Sequence, residues 1–138
     1  MTTKSKKTAT VIEGFDYTSI KTFEDACKSI GVDPESVAVV YTTSEEFRKP
    51  IVAYNKLLII YKAINSGWKP DWNNLRQYKY YPYFEVLSSG LGFSSSDYYC
   101  VRATTAVGSR LCTDTSEKAL YIAKQFEALC QDYFLFSE

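Results

Sequence analysis

Between Trp68 and Tyr99 the chain reads WKPDWNNLRQYKYYPYFEVLSSGLGFSSSDYY, and ten of these residues are aromatic. Lys69, Arg76 and Lys79 are interleaved with the rings. A core for 138 residues cannot enclose so many rings together with their polar tips. Tyr and Trp suit half-wet positions, with one end apolar and the other hydrogen-bonded. The segment therefore constrains the fold to one that presents part of this aromatic stretch at a surface, where it can meet a ligand or partner.

Length and composition fit one domain, read as residues 13–138 behind a basic, small-residue tail at 1–12. No apolar run approaches the ~18 residues of a membrane span, and MTTKSKKTAT lacks the apolar stretch of a secretory leader. These features point to a cytoplasmic protein.

The chain has no histidine. That removes the commonest general base and metal ligand, and with it the usual Ser-His-Asp and Cys-His nucleophiles. The four cysteines, Cys27, Cys100, Cys112 and Cys130, are too scattered for a zinc site. Cys27 and Cys130 fall on apolar helix faces, which reads as reduced thiols in a core. A Cys100–Cys112 pair across neighbouring strands stays open. The acidic pairs Glu24-Asp25 and Glu45-Glu46 sit at helix starts, where they complement the dipole without catalysis. Asp71, Asn73 and Asn74 read as turn formers rather than calcium ligands. The sequence thus points away from an enzyme and from any cofactor or metal.

Net charge is zero but segregated along the chain: residues 13–46 sum to −6 and residues 48–110 to +6. The aromatic middle is also the electropositive middle, which favours an anionic partner.

Local signals give an α+β class with two N-terminal helices, a small antiparallel sheet of three to four strands and a C-terminal helix packed on the sheet. The first helix spans about Phe23 to Ile30, with Thr22 and Asp25 as a capping box and Gly31 as its stop. The second starts after Ser44 and carries the apolar period Ile51, Tyr54, Leu57, Leu58, Tyr61, Ile64. Pro50 marks an early break, and Asn65-Ser66-Gly67 the end. Val37 to Tyr41 reads as a short extended run and Trp68 to Gln77 as an ordered loop. Strands are expected over Tyr78 to Leu87 (an edge strand or a bulge, given Pro82), from near Phe93, over Tyr98 to Ala103 and over Gly108 to Thr113, with a hairpin connection at 88–92. One helix from about Ser116 to Tyr133, opened by Asp114 and Glu117, closes the chain.

The candidate ligand-binding residues are Trp68, Lys69, Trp72, Arg76, Tyr78, Lys79, Tyr81, Tyr83 and Arg110. Rings stack on bases while cations follow phosphates, so single-stranded nucleic acid is the first candidate partner. A protein partner held by a Tyr-rich face is the alternative. Gly108 before Arg110 reads either as a close approach to an anion or as a turn.

The motifs TFEDACKSIGVDP (22–34), GWKPDWNN (67–74), QYKYYPYFEV (77–86) and VGSRLCTDTSEKALYIAKQFEALCQDYF (107–134) occur in one order. Together they resemble an uncharacterised family of small proteins encoded by phages and prophages of gut Bacteroides-type bacteria, from about residue 20 onward. The resemblance implies a phage- or prophage-encoded protein in the host cytoplasm and no particular activity; the protein-partner alternative would then be a virion accessory protein or an inhibitor of a host factor. Members of that family more often continue the last motif as SRLCFKS. Thr113-Asp114 stands here in place of Phe-Lys, which puts any shared role of those two positions in doubt.

Overall fold

A computed structural model describes residues 14–37, 39–42, 44–82, 84–87, 90–92, 98–101 and 110–135. The expected tail at 1–12 lies outside them. Among the described residues there are five α-helices: α1 (Phe23–Ile30), α2 (Pro34–Val37), α3 (Glu45–Asn65), α4 (Ser116–Gln125) and α5 (Glu127–Phe134).

Helices α1, α3 and α4 start where their sequences supply a side-chain cap. The Thr22 side chain accepts from the Asp25 N–H at 3.1 Å, and the Asp25 carboxylate accepts from the Thr22 N–H at 3.1 Å, a reciprocal capping box. Gly31 ends α1 at φ 71°, a left-handed value that costs glycine nothing. Ser44 caps α3 by accepting from Glu46 N–H at 3.3 Å. The expected break at Pro50 does not occur: α3 runs through it. Pro50 lies in the second turn, where its missing N–H forfeits only the bond to Glu46, an exposed residue whose carbonyl water can satisfy.

The sequence expectation of a three- to four-stranded sheet under one C-terminal helix is overturned. Helix dominates the fold. Among the described residues, strand structure is confined to two separate antiparallel pairs of three or four residues each: β1 (Lys79–Pro82) with β4 (Tyr98–Val101), and β2 (Glu85–Leu87) with β3 (Gly90–Gly92). The single strand expected over Tyr78 to Leu87 thus splits, and its halves take different partners. The described part of the run expected over Gly108 to Thr113, residues 110–113, contributes one bridge: Tyr80 and Thr113 exchange N–H···O bonds of 3.0 and 2.8 Å. The run read as extended at Val37 to Tyr41 closes α2 at Val37 and contains no strand among its described residues. Sheets of this size bury too little to stand alone, so the core is made by helices.

The single C-terminal helix is also corrected. At Phe126 the backbone departs to φ −116°, ψ 34° and divides α4 from α5. Thr115, not Asp114, caps α4 by accepting from Lys118 N–H at 3.3 Å. Asp114 instead pairs with the Lys118 ammonium at 2.9 Å, one turn on.

The core lies where α1, α3, α4 and α5 meet. It contains Phe23, Leu57, Ile60, Ile64, Ile122 and Phe126. Ile51, expected on the buried stripe, is exposed, because the apolar face of α3 engages its neighbours only from Ala53 onward. Tyr54 of α3 stacks on Tyr133 of α5 at 5.2 Å between ring centres. Tyr121 of α4 donates to the Ile20 carbonyl at 2.6 Å and so pins the entry to α1.

Cys27, Cys112 and Cys130 are buried, and Cys27 and Cys130 carry free thiols. The Cys100 side chain, and with it any pairing to Cys112, lies outside the description. No helix among the described residues is long and apolar enough to cross a membrane.

Candidate ligand-binding cleft

The site begins with the way α3 ends. Ser66 adopts φ 46°, a left-handed conformation rare for a residue with a side chain. Gly67 follows at φ 93°, and the Trp68 N–H donates to the Asn65 carbonyl at 3.0 Å. This tight reversal turns the chain back beside α3. The two indoles are thereby held close to the last turns of the helix.

Short side chains then order the loop, as Asn and Asp do when they bond to backbone two residues on. The Asn73 N–H donates to the Asp71 carboxylate at 3.0 Å, and the Arg76 N–H to the Asn74 amide oxygen at 3.0 Å. The Gln77 side chain accepts from the Asp71 N–H at 2.6 Å. Beneath the loop, the Lys79 ammonium donates to the Gln77 and Asn74 carbonyls at 3.0 and 3.3 Å. It also sits 5.0 Å from the centre of the Trp72 ring.

The result is a cleft of about 770 Å³ between the ends of α1 and α3, the Trp68–Trp72 loop and Arg110. Leu58, Ile59 and Ala63 contribute apolar wall, and Trp68 and Trp72 contribute rings. Lys62, Lys69 and Arg110 line it as well, and all three are exposed. None of the described residues lining the cleft is acidic. Three polar atoms at its lining residues are buried without a hydrogen-bond partner: Asn65 Oδ1, Ser66 Oγ and Trp72 Nε1. Among the described residues, no group of three His, Cys, Asp or Glu side chains is placed to hold a metal ion.

The surface expected from the sequence is divided by the fold. Trp68, Lys69, Trp72 and Arg110 come together in the cleft. Arg76 and Tyr78 are exposed but do not line it. Lys79 is fully buried and Tyr81 nearly so, so both are corrected from ligand contacts to structural residues: strand β1 turns them inward, under the loop. Tyr83 lies outside the described residues, as does Gly108.

Sequence reasoning missed Lys62, Asn65 and Ser66. The sequence signals no role for Lys62, and it offers Asn65-Ser66 only as the stop of the second helix. Their position within two turns ahead of the first Trp was the available clue. Thr113 and Asp114, the positions that depart from the phage-family motif, do not line the cleft. Thr113 is buried against Tyr80.

Comparison of the chain with protein-family models, curated proteins and solved structures finds no match.

Proposed function

We propose that this is a non-enzymatic binding protein of phage or prophage type, acting in the host cytoplasm, whose cleft holds single-stranded nucleic acid. One observation supports this above the others: two indoles and three exposed cations line a cleft with no acidic residue among its described walls. Bases stack on rings at about 1–3 kcal/mol each while cations follow the phosphates. The phage assignment rests on the resemblance of the four sequence motifs.

The test is fluorescence anisotropy with a labelled strand of ~15–20 nucleotides, long enough to fill a stacking groove. Binding at low salt that weakens steeply as salt rises is the expected result, since phosphate contacts release counterions. Absence of binding at low salt would defeat the reading. The function would then pass to the second one, a protein-protein module such as a virion accessory protein or an inhibitor of a host factor. That reading is favoured by the exposed Val39, Tyr41 and Phe47 around the start of α3, since exposed aromatics anchor protein interfaces.

A further inference from the structure

We infer that this chain associates with further copies of itself head to tail: the exposed patch at the start of α3 in one copy docks on Leu75, Arg76 and Tyr78 of the next. This goes beyond the nucleic-acid reading and does not depend on it.

Exposed apolar groups gather at both ends of α3. At the head, the Arg48 guanidinium donates to the Val40 carbonyl at 2.8 Å, which holds segment 39–41 against the first turn of the helix. Val39, Tyr41 and Phe47 are exposed there, Tyr41 by 96%. Ile51, also exposed, stands four residues on from Phe47 and so on the same side of the helix. At the tail, Leu75 is 62% exposed and Tyr78 is exposed too. Arg76 lies between them, exposed and outside the cleft. Tertiary bonds keep this tail at the far end of α3. Asn65, the last residue of α3, donates to the Cys112 carbonyl at 2.9 Å. Thr113 follows and bridges Tyr80, two residues past Tyr78. The 21 residues of α3 set its two ends about 30 Å apart. Exposed apolar patches of this kind mark contact surfaces.

Charge selects the occupant. The head carries two exposed carboxylates, Glu45 and Glu46. Its bases are engaged: Arg48 pairs with Glu45 at 2.9 Å and Lys49 with Asp132 at 3.3 Å. The tail carries Arg76, with Lys69 exposed on the same loop. Asp71, the one acid of that loop, accepts from the Asn73 N–H at 3.0 Å. Neither Glu46 nor Arg76 has an ion-pair partner among the described residues. Two heads would set carboxylates against each other, and two tails cations, which disfavours both pairings. Head on tail sets Glu46 against Arg76 and apolar surface against apolar surface. The contact joins two different surfaces, so each added copy leaves a head and a tail exposed. Assembly then grows into chains or rings and does not stop at two.

The experiment is analytical ultracentrifugation of the full chain at low salt, without nucleic acid, up to ~1 mM, where weak contacts register. The average mass should rise with concentration past that of a dimer. Tyr41→Ser and Leu75→Ser, both at exposed positions, should each hold the chain as a monomer, and mixing the two variants should restore pairs that stop at two. Glu46→Arg or Arg76→Glu alone should weaken association ~5-fold or more, and the double variant should recover it, because the facing charges are exchanged. A monomer at every concentration overturns the inference, as does a mass that stops at two for the wild type. Tyr41→Ser and Leu75→Ser both assembling like wild type overturn it as well. No strand is present, so a failure here leaves the nucleic-acid reading standing, and failure of the anisotropy titration leaves this inference standing.

Discussion

The ammonium of Lys79 lies 5.0 Å from the centre of the Trp72 ring although Lys79 has no exposed surface. A cation placed over an indole face and bonded to two loop carbonyls works as a peg: it holds the Trp72 segment in place from below. The residue that looked in the sequence like a phosphate contact is the support of the cleft.

Lys79→Ala should therefore unfold or loosen the protein instead of changing its charge dependence. The expected cost is about 2–4 kcal/mol, from the lost buried stem and the carbonyls left without their donor. Urea denaturation measures it. A change under about 0.5 kcal/mol, the level of an ordinary surface substitution, would show that the ammonium supports nothing.

Lys69→Ala with Arg110→Ala should lower the slope of log affinity against log salt for a single strand by up to about two, one for each lost phosphate contact. Arg76→Ala should leave that slope nearly unchanged, because Arg76 does not line the cleft. The reverse ranking would place the strand on the other side of the loop.

Phe126 stands at the junction of α4 and α5 and is 6% exposed. Phe126→Ala should cost about 3–5 kcal/mol, as for other buried rings. Thermal or denaturant unfolding checks it, and a loss below about 1 kcal/mol would remove this junction from the core.

The thiols give a pH dependence. Burial pushes Cys112 up to about 11 and, with help from Glu127, Cys130 up to about 12. Burial also drives the Tyr61 phenol well above its ordinary value. In an unfolded chain these thiols titrate near 9.0, so above that pH the folded state keeps protons that the unfolded state has lost. Stability should be undiminished below pH 9 and fall as pH rises toward 11 and 12. Denaturation midpoints from about pH 7 to about pH 10.5, either side of the ordinary thiol value of 9.0, measure this; a flat profile would contradict it.

For the same reason, Cys27 and Cys130 should resist a thiol reagent in the native state and react fully in denaturant. Mass mapping of the labelled positions tells them from Cys100. Rapid native labelling of either would show that the α1 or α5 face opens.

What the sequence determined by itself was local. The caps at Thr22 and Ser44, the stop at Gly31, the extent of α1, the two ends of α3 and the ordered loop from Trp68 to Gln77 all depend on contacts within about one helical turn, so neighbouring residues specify them. The gathering of rings and cations at Trp68, Lys69, Trp72 and Arg110 was legible for a related reason: three of the four share one short loop. The tertiary structure decided the rest. Tyr80 and Thr113 are 33 residues apart, and no local propensity announces that they pair or that Lys79 beside them turns inward. The split of the expected strand into β1 and β2 follows from which distant segment each half meets. At Phe126 no proline or glycine marks the division between α4 and α5. Lys62, Asn65 and Ser66 became part of a site only because the chain reverses at Ser66 and lays two indoles back along the helix it has just left.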